Sequence, residues 1–114
     1  MERKVGFIFI IIFLCLMIFQ PVYAEDPCKV LEMFAGRVME RRQNGALMSD
    51  LIRIIDNGDY EETGEKVMKE IIVSAYDEPL YSTDEYKQKA ILQFKNDIYM
   101  KCYRSKKQSY PDHK

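Results

Sequence analysis

The chain has little of the chemistry on which most enzyme active sites depend. Its 114 residues include no tryptophan, and its one histidine, His113, is second from the C-terminus. A zinc site, or a serine or cysteine nucleophile activated by histidine, needs a positioned imidazole. The five glycines are scattered rather than gathered into a phosphate-binding loop. Carboxylates are plentiful and a glycosidase needs only two, but so small a chain leaves little room for a substrate cleft. We therefore expect no enzyme activity, no metal and no cofactor.

Neither sign of charge is in clear excess. The chain has 17 basic and 18 acidic residues, whereas nucleic acid and anionic lipid both favour a basic surface. Neither is therefore an expected partner. The most acidic stretch could bind calcium, but its spacing does not match an EF-hand loop, and solvated helix-end charges are the favoured interpretation. It contains Asp56, Asp59, Glu61, Glu62 and Glu65.

One long apolar run is present, at residues 5–19. A charged head at residues 1–4 precedes it, and Val22 and Ala24 follow at the −3 and −1 positions of a small-residue cleavage site. These three parts predict a secretory signal peptide that is cleaved between Ala24 and Glu25, placing the protein in the periplasm or outside the cell. An uncleaved membrane anchor is the alternative. A membrane span needs about 20 apolar residues, and this run is shorter.

The cysteines become informative once the signal peptide is removed. Residues 25–114 then carry 15 basic and 17 acidic residues and keep two cysteines, Cys28 and Cys102. Two cysteines in an exported domain have one possible pairing. Closing a loop of this length stabilises the fold by about 4.5 kcal/mol, against roughly 5–10 kcal/mol for a whole small domain. Two free thiols are the alternative.

Apolar residues at helical spacing predict four helices in the mature chain. Caps and breakers set their ends: Asp and Pro open a helix, and Asn-Gly closes one. The helices run from Asp26-Pro27 to Asn44-Gly45, from Leu47 to Asp56, from Tyr60 or Glu65 to Tyr76, and from a capping box, Ser82 to Glu85, to about Tyr103. We expect a domain at residues 25–104 and a flexible polar tail at residues 105–114.

The fold class is therefore all-α, and short connections favour an up-down-up-down four-helix bundle. In that topology the first and last helices are antiparallel. Cys28, at the start of one, would then lie beside Cys102, at the end of the other. A more open, orthogonal arrangement of four helices would also satisfy the disulfide.

Three arginines lie within about one and a half turns of the first mature helix, namely Arg37, Arg41 and Arg42. They could bind an acidic partner or a carboxylate-bearing cell-wall peptide. The alternative is structural, with each arginine paired to a nearby acid such as Glu40 or Asp50.

Tyrosines gather around the break at Pro79, where Tyr76, Tyr81 and Tyr86 lie close together in the sequence. Tyrosine and methionine suit protein-binding surfaces, although core packing is an equally natural role. In an up-down bundle the turns after the first and third helices lie at the same end. Arg42 could instead simply stack on Tyr76 and tie the two turns together. The predicted partner-binding site at this end consists of Arg41, Arg42, Tyr76 and Tyr81.

Several short motifs lie along the mature chain: Cys28, Met39-x-x-Arg42-Gln43-x-Gly45, Ala75-Tyr76-x-x-Pro79-x-Tyr81-Ser82, Phe94 and Tyr99-x-x-Cys102. In these residues the chain resembles a group of small secreted helical proteins with one disulfide, found in proteobacterial chromosomes and prophages. The resemblance implies a Gram-negative periplasmic setting, and no activity is assigned to the group.

These features favour an exported periplasmic module that binds another exported or envelope protein, as an inhibitor or immunity-type protein does. One alternative is a structural or envelope-associated protein held at the membrane by an uncleaved N-terminal segment. Another is an envelope-stress chaperone, which would reversibly expose the helix at residues 47–55 at acid pH. The number of copies that associate is not predicted.

Overall fold

The computed structural model describes residues 2–18 and 26–109, with side chains at 6–15 and 26–107. This part of the chain is helical, without a strand. It has five helices rather than four, because the N-terminal apolar run is itself a helix. The predicted cleavage site and His113 lie outside the described residues. The helices are α1 (Glu2–Ile18), α2 (Pro27–Gln43), α3 (Met48–Asn57), α4 (Glu62–Asp77) and α5 (Asp84–Ser109).

Among the helices of residues 2–18 and 26–109, none combines the length and apolar character that crossing a membrane requires.

The ends of α2 follow from its sequence. The Asp26 carboxylate accepts a hydrogen bond from the Cys28 N–H at 3.0 Å, and Pro27 occupies the first helical position. At the other end Gly45 has φ +88°, a left-handed conformation that glycine adopts without steric cost. Both predicted ends of this helix are confirmed.

The start of α5 differs from the prediction by one residue. The Thr83 hydroxyl, rather than that of Ser82, accepts a hydrogen bond from the Tyr86 N–H at 3.3 Å. The Thr83 carbonyl also accepts from the Lys87 N–H, so that Thr83 caps the helix. Four polar residues in a row offer several possible caps, and spacing alone does not choose among them.

The end of α5 also differs, because the helix continues to Ser109 and so includes five residues of the predicted polar tail. Contacts one turn apart support the extension. The Tyr99 and Tyr103 rings stack with centroids 6.5 Å apart, and the Lys107 ammonium lies 5.3 Å from the centre of the Tyr103 ring. Lysine is moreover a good helix former.

α2 is the central helix of the domain. It packs against α5 and α4, while α3 packs against α4. The α2–α5 approach is close at Gly36, where an added Cβ would lie 2.9 Å from the Lys95 Cδ. The buried core residues are Ala35, Val38, Met39, Ile55, Ile71, Ile72, Ala75, Ala90, Phe94 and Ile98.

A disulfide joins Cys28 to Cys102, with their Cα atoms 5.4 Å apart, and this confirms the predicted pairing. Beside it Asp26 accepts a hydrogen bond from the Tyr99 hydroxyl at 3.3 Å and pairs with the Lys106 ammonium at 3.4 Å. The start of α2 is therefore fixed to the end of α5. The two helices are antiparallel, as expected.

Candidate functional site

The end of the domain opposite the disulfide is formed by two connections, residues 44–47 between α2 and α3 and residues 78–83 between α4 and α5. We call it the loop end. Side chains from the last turn of α2 and from α4 hold the two connections together. The prediction that both turns meet at one end is therefore confirmed.

Gln43 makes the most extensive of these contacts. Its side chain is only 1% exposed. The Nε2 group donates a hydrogen bond to the Pro79 carbonyl at 2.8 Å, and Oε1 accepts one from the Tyr81 N–H at 2.9 Å. The side-chain amide thereby pairs with a backbone carbonyl and a backbone N–H of the other connection, as a neighbouring backbone segment would. It satisfies a donor and an acceptor that would otherwise be costly to bury.

Arg42 and Tyr76 form a second contact between the connections. The Arg42 guanidinium lies 4.9 Å from the centre of the Tyr76 ring and donates to the Glu78 carbonyl at 3.2 Å. The Tyr76 hydroxyl donates to the Ala46 carbonyl. This is the stacked arrangement that the sequence left open as a structural role. The buried Arg42 Nε has no hydrogen-bond partner among the described residues.

The environment of Tyr76 keeps its hydroxyl protonated. Burial raises the pKa of Tyr76 above its ordinary value of 10.0; the nearby Arg42 guanidinium lowers it, and Asp50 raises it further. A protonated hydroxyl is required for the hydrogen bond to the Ala46 carbonyl. Tyr76 therefore acts as a donor throughout the neutral pH range.

The other two predicted site residues, Tyr81 and Arg41, differ in how far they are buried. Tyr81 is half-buried and packs against the core, and its ring stacks on Tyr86 with centroids 6.0 Å apart. Tyr86 is 54% exposed. Arg41 is exposed and forms no ion pair with any residue in the described ranges. Of the four predicted residues, Arg41 alone has a side chain without an intramolecular partner in this part of the chain.

In the most acidic stretch of the chain, two of the carboxylates pair with a lysine of α4. The Lys69 ammonium lies 2.5 Å from Asp56 and 2.9 Å from Glu65. Within residues 2–18 and 26–109, no three histidine, cysteine or acidic side chains are arranged to hold a metal ion.

Sequence reasoning missed Gln43, although a signal for it exists. Gln43 follows Met39 by four residues and Ala35 by eight, which places it on the buried face of α2. A glutamine on such a face near a helix end has to find polar partners outside its own helix.

No protein-family model matches this chain, and no curated protein or solved structure is significantly similar to it.

Proposed function

We propose that the protein is an exported, periplasmic protein-binding module of the inhibitor or immunity type, and that it holds another exported or envelope protein at the loop end. After loss of residues 1–24 the mature protein would be a four-helix domain in which α2 packs against α5 and α4, and α3 packs against α4. The proposal involves no catalysis, cofactor or nucleic acid.

The observation that carries this proposal is that side-chain contacts fix the two connections of the loop end to each other. Gln43, Arg42 and Tyr76 fix the connections before any partner arrives, which lowers the entropy lost on binding. Arginine and tyrosine are frequent hot-spot residues in protein interfaces. The exposed side chains around this support include Arg41, Leu47, Leu80 and Tyr86.

The disulfide supports an oxidising compartment, because paired cysteines persist there and are rare in the cytosol. Export through a cleaved signal peptide predicts a mature mass that lacks the first 24 residues. Intact-mass measurement on protein from the periplasm tests this. A chain that still begins at Met1 would favour the membrane-anchored alternative.

The binding site is tested by capture of the partner from a periplasmic extract, with identification by mass spectrometry. Arg41→Ala with Tyr81→Ala tests the predicted pair, but Tyr81 packs against the core and its loss also weakens the fold. Arg41→Ala with Tyr86→Ala removes exposed groups only. We expect this second variant to lose the partner and to keep its melting temperature.

A matched control removes the same two residue types at the other end of α5. Tyr103→Ala with Arg104→Ala should capture the partner as well as the parent does, because both side chains are exposed far from the loop end along the helix. Equal loss in the control and test variants would contradict the proposed site. Failure of the parent to hold any exported protein would contradict the proposed function.

A further inference from the structure

A groove of about 590 Å³ runs between α2 and α3 beside the loop end. Its apolar lining includes Phe34 from α2 and Leu51 and Ile54 from α3. Ile54 is 61% exposed, although it belongs to the most apolar stretch after residue 25. α3 packs against α4, and Ile55 is its one fully buried residue. One edge of the helix is therefore left facing the groove and solvent.

Two arginines of α2 border this groove. Arg37 and Arg41 both line it, and they are one helical turn apart. Neither arginine forms an ion pair with any residue of the described chain. Glu40, the one acidic residue that lines the groove, forms none either. Like charges one turn apart destabilise an isolated helix slightly.

One basic residue on each of the two following helices is paired, in contrast. Arg53 of α3 binds Asp50 at 2.5 Å, and Lys69 of α4 binds two acids. The chain as a whole has a net charge of −1. Unpaired basic residues such as Lys66 and Arg104 occur elsewhere in the described chain. At the groove, however, two of them border one apolar lining.

We propose that this groove binds an acidic segment of the partner protein that also carries a large apolar side chain. This inference rests on the proposed function and gives the chemistry of the segment that is bound. The apolar side chain would pack against Phe34, Leu51 and Ile54. Carboxylates beside it would pair with Arg37 and Arg41, whose planar guanidinium groups bind carboxylates through two hydrogen bonds.

The experiment uses the full chain in its native host, with the photo-crosslinking residue p-benzoylphenylalanine at one position at a time. A crosslinker at Ile54 detects binding in the groove, and one at Tyr86 detects binding at the loop end. Leu92, an exposed residue elsewhere on α5, is the control position. Mass spectrometry identifies the crosslinked peptide. From Ile54 we expect a segment of another exported protein with net negative charge and at least one large apolar residue, and from Leu92 no such product.

Charge variants test the role of the arginines in the same assay. Arg37→Glu with Arg41→Glu should lower the crosslink yield from Ile54 about tenfold or more, because two attractive pairs become repulsive. Arg37→Gln with Arg41→Gln should lower the crosslink yield by a smaller factor. This neutral variant replaces the glutamate variant in the test if the latter does not fold. Lys66→Glu with Arg104→Glu makes the same change of charge at exposed positions elsewhere and should leave the yield unchanged.

Five results would overturn the inference, and the last two also bear on the proposed function. The first is a crosslinked segment without net negative charge, and the second is a yield that ignores the charge at residues 37 and 41. The third is a crosslink to a second copy of this chain, which would assign the groove to self-association. A partner crosslinked from Tyr86 but not from Ile54 would refute the groove and leave the proposed function standing. No crosslink from either position would refute both.

Discussion

A single amide side chain, that of Gln43, closes the loop end. Its two hydrogen bonds reach a carbonyl and an N–H on the far connection, more than 35 residues away in the sequence. Because Gln43 is buried, an apolar side chain of similar size in its place would leave the two partly buried groups without a protein partner. The geometry of the candidate site therefore depends on a residue that is itself 1% exposed.

Gln43→Leu should lower the unfolding free energy by about 2–3 kcal/mol, since it leaves the Pro79 carbonyl and the Tyr81 N–H unpaired. In a domain of this size that is a fall in melting temperature of roughly 10–20 °C. Thermal unfolding followed by circular dichroism measures it. Gln93→Leu makes the same change at an exposed position of α5 and should alter stability by less than about 0.5 kcal/mol. Similar effects of the two substitutions would show that the Gln43 bonds contribute little.

At the residue scale, the sequence could predict the meeting of Arg42 and Tyr76 because helix order alone places them at one end. It could not assign them a role. Whether an arginine binds a partner or stacks on a tyrosine depends on distances of a few ångströms between two helices. Periodicity does not contain those distances. The roles of Arg41, Arg42, Tyr76 and Tyr81 in partner binding stay predictions.

At the scale of the helices, strong local signals gave accurate ends and weak ones did not. Asp26-Pro27 and Gly45 fix the ends of α2, where one residue type meets one backbone requirement. The polar run before α5 contains two hydroxyl residues that could cap, and Thr83 does. The C-terminal end of α5 depends on ring stacking at Tyr103, which helix-end signals do not describe.

The N-terminus of α2 should be sensitive to acid. The hydrogen bond from the Cys28 N–H, and after it Lys106 and Tyr99, lower the pKa of Asp26, whereas its slight burial raises it. A carboxyl group with a lowered pKa in the folded state stabilises the fold above its unfolded pKa of about 3.9. That contribution is lost as the pH falls through the folded pKa.

Asp26→Asn should therefore unfold with a weaker dependence on pH below about 4 than the parent, because the amide does not titrate. Denaturant unfolding between pH 2 and 7 measures the slope. Asp97→Asn removes a carboxylate from within α5, at an exposed position, and is the control. If the Asp26 and Asp97 variants lost the same amount of acid dependence, the helix cap would not be its source.

For the whole molecule, the disulfide is the covalent bond that joins the two ends of the domain. Cys28 and Cys102 are 74 residues apart. Cys102→Ser should therefore destabilise the domain by up to about 4.5 kcal/mol, because the unfolded chain regains the freedom that the bond removes. At 4–8 °C for each kcal/mol, the melting temperature should fall by up to about 20–35 °C.

Thermal unfolding of Cys102→Ser, and of the parent in a thiol reductant, should give the same lowered value. Cys28→Ser should give this value too, because it removes the same bond. Unchanged melting in Cys102→Ser would mean that the disulfide adds nothing to the fold.

Helix count and cysteine positions together predicted the pairing and the antiparallel α2–α5 contact, because both are consequences of chain order. They did not predict the groove. α3 belongs to the most apolar stretch of the mature chain, yet Leu47, just before the helix, and Ile54 within it are 65% and 61% exposed. A ten-residue helix that packs against α4 can turn only one side to the core, and the sequence has apolar residues on more than one.

The position of the disulfide also bears on the export proposed above, because it fixes an order of events. A chain that crosses a membrane amino-terminus first presents Cys28 to the oxidising side well before Cys102 follows. The crosslink could then form only when almost the whole domain has been translocated. A shortened product that stops before Cys102 would retain a lone thiol and an open fold, and so would be exposed to proteases. Survival of the exported protein would thereby depend on translocation of the whole domain.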